Sequence, residues 1–457
     1  MKLYSTLNKQ VTEFKPLAPG RVKMFVCGPT VYELSHIGHA KTYIQMDVLA
    51  RTLRRLGYEL TYLQNITDID DRIITRAWER SEDWRELANH FEAEYLKDMT
   101  TLNNMAVDTY ARATDHIDDI IRQVEALMTK GHAYEIADDG IYFEIATFPD
   151  YGKLSGRQQV GEHDSQARID QSEHKRGWND FCLWKFHKPN EPAWDAPFGK
   201  GRPGWHIEDT AISEHYFGPQ YDIHGGAIDL IFPHHEAELT QMEAISGLTP
   251  FVGYWTHTGF LQVDEEKMSK SLDNFYTIQD VVDRGYDPMS LRLAVLQSHY
   301  RSPINFTWDT LKSAHTRLMD LRAMADLRWQ LYKDESANSD ISFDKSSESF
   351  LNAMANDLNS PQALAQIAND ERLFAQNLIS ESQQDGFINY LQTIDDVLGL
   401  GLLSSSDITE EQKELLQQRE HARTAADWKA ADLARDELAK HNLAVRDTPK
   451  GQVWART

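Results

Sequence analysis

Short apolar runs that stop at glycine or proline alternate, through the front of the chain, with longer stretches of helical spacing. "VKMFVCG" (Val22 to Gly28) reads as a buried strand ending in a Gly-Pro turn. Ile44, Val48, Leu49, Leu53 and Leu56 then recur on one helical face, and Gly57 stops the helix. "YELTYLQNIT" (Tyr58 to Thr67) reads as a second strand. Strand, glycine turn, helix and strand within about 45 residues make a βαβ unit of a parallel sheet. A helix follows from Thr114 to Lys130 with Gly131 as its cap, then a hairpin around Asp139-Gly140. The polar stretch from Thr147 to Asp180 reads as loop. Sheet and helix return in "YDIHGG", "PHHEAELTQMEAISG" and "YWTHTGFLQV".

From about Asp309 the pattern is helical until the end of the chain. Asp334 to Ser349 reads as a hydrophilic linker, and "LLSSSDITEEQ" as a second one, with Thr409 capping a long charged helix. Pro449, Gly451 and Trp454 suggest a compact terminal knob. The expected fold class is therefore α/β, with an α/β front half and a helical back half.

Composition narrows the class. An apolar share of 41% with 18 Phe, 18 Tyr and 11 Trp in 457 residues supports packed domains. No run reaches the ~20 apolar residues of a membrane span, and the N-terminus lacks the apolar core of a secretory signal. Two cysteines suit a reducing cytoplasm and read as thiols rather than as bridges. The net charge of −24 argues against a polyanion partner, yet Arg419 to Thr457 carries eight basic and six acidic residues, a basic end on an acidic protein. A solvated helix face explains that balance equally well.

Three patterns carry chemistry. His36-Ile37-Gly38-His39 stands at a helix entrance, where backbone N–H groups and the helix dipole favour an anion and Gly38 allows close approach. Lys267-Met268-Ser269-Lys270-Ser271 offers lysines and hydroxyls suited to clamping pyrophosphate. In this order, more than 200 residues apart, the two motifs resemble the signatures of class I aminoacyl-tRNA synthetases, which activate an amino acid with ATP. In the third, His234 and Glu238 lie four apart, on one helical face, and Asp209 falls early in another helix. With Cys27 these make a candidate tetrahedral zinc site. The alternative is a small buried thiol and a solvated helix carboxylate.

"FVCGPTVY", "HIGHA", "NITDIDDRII", "GWHIE", "DIHGGAIDLIFPHHEAE", "EKMSKSLDN", "HYRSPINF" and the ending from Ala422 to Trp454 resemble the cysteinyl-tRNA synthetases, of the bacterial type, along the whole chain. The resemblance implies a Rossmann-like catalytic domain over residues 1–308 with an inserted segment at about 115–200, a helical bundle over 309–403 and a small C-terminal domain over 404–457. It implies ATP-dependent attachment of L-cysteine to its tRNA through a cysteinyl-adenylate, with Mg²⁺ accompanying ATP. It places Cys27, His234 and Glu238 on three zinc-ligand positions. The fourth, ordinarily cysteine, is Asp209 here. Trp205 and His224 fall on positions that wall the cysteine pocket, and Cys27 lies where the substrate thiol must sit. His36, Gly38 and His39 would face the α-phosphate, and Lys267, Ser269 and Lys270 the β,γ-phosphates. Ala227 and Asp273 stand where the family usually has glycine. Cys182 matches no ligand position and reads as packed core. The expected state is a cytoplasmic monomer. Rival readings are a cysteine ligase acting on a sugar amine, a paralog with altered amino-acid choice, and a non-catalytic tRNA-binding regulator.

Overall fold

The computed structural model describes residues 1–157, 172–268, 274–332, 341–377, 379–448 and 451–457. The chain forms two compact units: Met1–Asp280 with Tyr300–Asn305, and Val281–His299 with Phe306–Thr457.

The first unit is built on a parallel sheet of five described strands in the order Val252–Thr258, Tyr221–Ala227, Arg21–Val26, Glu59–Ile66, Thr109–Arg112. The central strands Tyr221–Ala227, Arg21–Val26 and Glu59–Ile66 are buried without a break over their carboxyl-terminal halves apart from Ala227, as strands covered on both faces are, which is why those stretches read as runs rather than alternations. In chain order the sheet runs fifth, fourth, first, second, third. Its direction therefore reverses between Arg21–Val26 and Tyr221–Ala227, and the crevice at the carboxyl ends of those two strands is where doubly wound sheets bind ligands.

The helix after the first strand spans Ile37–Arg55, with Arg54 and Arg55 opposing its dipole. Between the third and fourth strands lies an insertion: helix Ile117–Thr129 and a four-stranded antiparallel sheet. The hairpin expected around Asp139-Gly140 is its first pair, Ala133–Ile136 with Gly140–Phe143. Cys182 is buried there beside Tyr134, Ile136 and Tyr142, as packed core.

In the second unit, helices Trp308–Ala325, Phe343–Met354, Ser360–Asn377 and Gln384–Leu398 enclose Phe350, Phe374, Phe387 and Tyr390. The linker expected over Asp334 to Ser349 is therefore too long. Ser342 caps a helix beginning at Phe343, and the buried Phe343 and Phe350 supply an apolar face that the surrounding serines and charges mask in the sequence. Thr409 caps helix Glu410–Thr424 through a reciprocal capping box with Gln412. Helix Trp428–Lys440 and the hairpin Leu443–Thr448 with Gly451–Arg456 close the chain, enclosing Ile408, Leu438, Leu443 and Trp454.

Candidate functional site

Cys27 leaves the end of the first strand with its N–H donating to the Gly225 carbonyl at 3.0 Å. The next residue must be glycine, because a Cβ on Gly28 would lie 1.7 Å from the Asn65 carbonyl oxygen. That close approach presses the cysteine-bearing turn onto the neighbouring strand. Asp209 sits in the first turn of helix Ile207–Phe217, fully buried. His234 lies in the wide turn Ile231–His235 that runs into helix Glu236–Ser246, so the helix begins later than the sequence suggests. His234 and Glu238 nonetheless share a face, with Nε2 and Oε1 3.2 Å apart.

His234 Nε2 is the meeting point. It stands 3.6 Å from Cys27 Sγ, 3.3 Å from Asp209 Oδ2 and 3.2 Å from Glu238 Oε1. Four tetrahedral ligands at about 2.0–2.3 Å from zinc lie about 3.3–3.8 Å from one another, so each of these three distances from His234 is close to that of two donors sharing an ion. Among the described residues neither Glu238 oxygen has a hydrogen-bond partner, although both are buried. Burial, then the Asp209 and Glu238 carboxylates, push the Cys27 thiol well above its ordinary value. Burial, then Asp209 and Glu208, do the same to Glu238. Three acidic groups around one imidazole in a dry pocket are costly alone and suit a divalent cation.

The donors fall into two trios with atoms within 4.8 Å of one another: Cys27, Asp209 and His234, and His224, His235 and Glu238. Glu238 links them, since its Oε2 is also 3.7 Å from His224 Nε2. His224 is held by Tyr221 Oη at 2.6 Å on Nδ1 and by the Trp255 ring stacked at 4.4 Å, and among the described residues its buried Nε2 has no hydrogen-bond partner. Trp205 stacks on His234 at 4.1 Å. The sequence reading missed His206, whose Nδ1 is 2.8 Å from His234 Nδ1 and so fixes which nitrogen of His234 faces the donors. It also missed His235, joined to His257 at 2.8 Å and through it to Thr6 at 2.7 Å. "PHHE" was the available signal for His235; nothing local in the sequence points to His257.

A further group, His116, Asp119 and His215, lies elsewhere. Arg122 already occupies Asp119 Oδ1 at 2.6 Å while both imidazoles meet Oδ2, a polar knot between two helices.

At the helix entrance the structure departs from expectation. The backbone N–H groups of Gly38 and His39 do not face outward: they donate to His36 Nδ1 at 3.1 and 3.3 Å, making His36 the N-cap. The His36 and His39 rings stack at 3.8 Å. Burial and the neighbouring His39 lower His36 to about 2, and burial lowers His39 to about 4, so both are neutral near pH 7. With Nδ1 accepting, His36 carries its proton on Nε2. Gly38 is required, since a Cβ would meet the His36 ring at 2.8 Å and Met268 Cε at 3.1 Å. Met268 thus brings the lysine motif against the histidine turn. Beyond it, Tyr276 accepts from the Ile37 N–H at 2.9 Å, and Phe275 lies edge-on to His36 at 5.2 Å.

Lys267 ends the two-residue strand Glu266–Lys267. Ser269, Lys270 and Asp273 lie outside the described residues. Ala227 has φ −78° and ψ 153°, ordinary extended backbone, so alanine costs nothing there.

Residues 13–316 match the family model for the catalytic domain of class I (C) tRNA synthetases, and residues 405–454 match that for the cysteinyl-tRNA ligase anticodon binding domain. The chain is 42% identical to a cysteine–tRNA ligase of Thermoplasma acidophilum over 99% of its own length and all of the relative's. It is 42% identical to that of Photorhabdus laumondii, with both chains fully covered. Among solved structures, a methionyl-tRNA synthetase of Mycobacterium tuberculosis bound to methionyl-adenylate aligns with a TM-score of 0.62 at 14% identity, covering 84% of this chain and 92% of that one.

Proposed function

The chain belongs to the cysteinyl-tRNA synthetase family, a ligase that charges tRNA with cysteine, and we propose that it selects cysteine with a zinc ion held by Cys27, Asp209, His234 and Glu238. The observation that carries this is the approach of three acidic donors to His234 Nε2, at 3.6, 3.3 and 3.2 Å. Bound there, zinc supplies a soft coordination partner for the substrate thiolate, which separates cysteine from serine where shape does not. Trp205 and His224 wall the pocket, and the His206 contact holds the His234 ring in place.

In the first step the cysteine carboxylate attacks the α-phosphate of Mg-ATP, forming cysteinyl-adenylate and releasing pyrophosphate. His36 and His39 act as neutral hydrogen-bond donors to the charge that develops there, and Lys267, Ser269 and Lys270 hold the β,γ-phosphates. In the second step a ribose hydroxyl at the tRNA terminus takes the acyl group and AMP leaves. Residues 1–308 perform this chemistry, with 309–403 as a bundle and 404–457 engaging the tRNA. No helix among the described residues is long and apolar enough to cross a membrane. The two free thiols suit a reducing compartment, and the reading takes the chain to work as a monomer in the cytoplasm.

Metal analysis of protein purified without chelator, paired with ATP–pyrophosphate exchange across the standard amino acids, tests the proposal. We expect about one zinc per chain and exchange driven by cysteine. Metal-free protein that still rejects serine refutes the zinc reading, and exchange driven by another amino acid supports the altered-specificity rival.

A further inference from the structure

Replacing a thiolate by a carboxylate at a four-coordinate site raises a problem of number. A thiolate offers one donor atom. A carboxylate offers two and can rotate, chelate, or present either oxygen. For Asp209 to serve where relatives of this family carry cysteine, one of its oxygens has to be removed from play.

We propose that Asn65 does this: it is a positioning residue that engages Asp209 Oδ1 and leaves only Oδ2 to face the other donors. Asn65 Nδ2 donates to Asp209 Oδ1 at 2.7 Å, while Oδ2 points to His234 Nε2 at 3.3 Å. The orientation of the Asn65 amide is not arbitrary. Its Oδ1 accepts the Gly28 N–H at 2.6 Å, and a backbone N–H cannot face an NH₂ group, so the nitrogen must be the atom turned toward Asp209. Asn65 is fully buried near the end of strand Glu59–Ile66, and its Nδ2 also lies 3.4 Å from Thr67 Oγ1.

One amide therefore couples two donors that arrive from different elements: the turn that carries Cys27 and the helix that carries Asp209. A neutral donor suits the task. A cation at this place would cancel part of the charge that holds the metal, and a carboxylate would repel Asp209. Hydrogen-bond partners of metal ligands are typically worth 10–100-fold in metal affinity.

The inference rests on the reading of Asp209 as a metal ligand, and the test separates the two. Zinc affinity of the full-length chain is measured by chelator competition for the wild type, Asn65→Ala, Asn65→Asp, Asp209→Cys, and Asn65→Ala combined with Asp209→Cys. Asn65→Ala loses both the Gly28 and the Asp209 contacts, but the Gly28 loss is common to both backgrounds and cancels between them. We expect Asn65→Ala to weaken zinc about 10–100-fold with Asp209 present and by less than about threefold in the Asp209→Cys background. Asn65→Asp keeps an acceptor for Gly28 but replaces the donor to Asp209 by a repelling carboxylate, so it should weaken zinc at least as much as Asn65→Ala does. Visible absorption of the cobalt-substituted proteins should show the strong four-coordinate bands of the wild type fading in Asn65→Ala as the second carboxylate oxygen joins the metal. Equal losses in the two backgrounds, or undiminished affinity in Asn65→Asp, overturn the inference while the zinc site stands. A wild type that binds no zinc overturns both.

Discussion

A histidine can serve as both cap and catalyst only if its two nitrogens divide the work, and His36 is arranged for that division. Its Nδ1 satisfies the helix start, which leaves the proton on Nε2 for the donor role proposed above. His36→Asn preserves a good N-cap but loses the reach of the imidazole, whereas His36→Ala loses both. Adenylate formation should fall about 10²–10³-fold in each. Only His36→Ala should also loosen the first helical turn, by about 0.5–2 kcal/mol, read as faster amide exchange from Gly38 and His39. Equal exchange in the two variants would separate the cap from the stability of the helix.

His39 carries a pH dependence whose sign follows from burial. Its folded value is lowered to about 4 against about 6.5 when unfolded. Between those limits the unfolded chain binds more protons than the folded one, so stability is full above pH 6.5 and declines as pH falls toward 4. Urea midpoints at pH 7 and pH 5 should differ less in His39→Gln than in the wild type.

Among the elements, the terminal hairpin and the helix before it assign different roles to two tryptophans that the sequence leaves alike. Trp454 is buried, and its backbone is bracketed by the Gln330 amide through bonds of 3.0 and 2.8 Å. Arg419, itself buried, grips Asp447 at 2.9 Å through both terminal nitrogens and Gln452 at 2.8 Å, fastening the hairpin to helix Glu410–Thr424. Trp428, at the start of its helix, is 58% exposed, with the Arg423 guanidinium 5.5 Å from its ring. Of the two, only Trp454 packs. An exposed indole beside a guanidinium is suited to stacking on a base. Trp428→Ala should lower kcat/KM for tRNA between about fivefold and 150-fold, the 1–3 kcal/mol of one stacked base, with amino-acid-dependent exchange unchanged. If charging is unaffected, Trp428 does not touch the tRNA.

For the whole molecule, the separation into two compact units, with the candidate site entirely in the first, sets the expected result of truncation. A cut at Arg419 would divide helix Glu410–Thr424 and remove its anchor to the hairpin, so the sounder boundary lies at residue 404, ahead of the matched anticodon-binding segment. A chain ending there should keep cysteine-dependent ATP–pyrophosphate exchange near the full-length rate and lose most tRNA charging. Loss of exchange in a truncated chain whose first unit remains folded, judged by its circular dichroism and zinc content, would show that activation needs the C-terminal segment.

Sequence alone determined the βαβ opening, the helical back half and the N-cap at Thr409, because period, punctuation and cap chemistry are local properties of a few neighbouring residues. It also placed Cys27, Asp209, His234 and Glu238 together, by resemblance; the four-residue spacing gave independent reason only for His234 and Glu238. The strand order, and with it the crevice where the sheet reverses, was decided by tertiary structure, since pairing between Arg21–Val26 and Tyr221–Ala227 joins segments nearly 200 residues apart. So were the contacts of His206, His257 and Asn65, whose partners lie 28, 22 and 144 residues away. No periodicity reports such contacts. They exist because burial leaves each polar atom only the partners that the fold brings within reach, and that choice is made after the elements have packed.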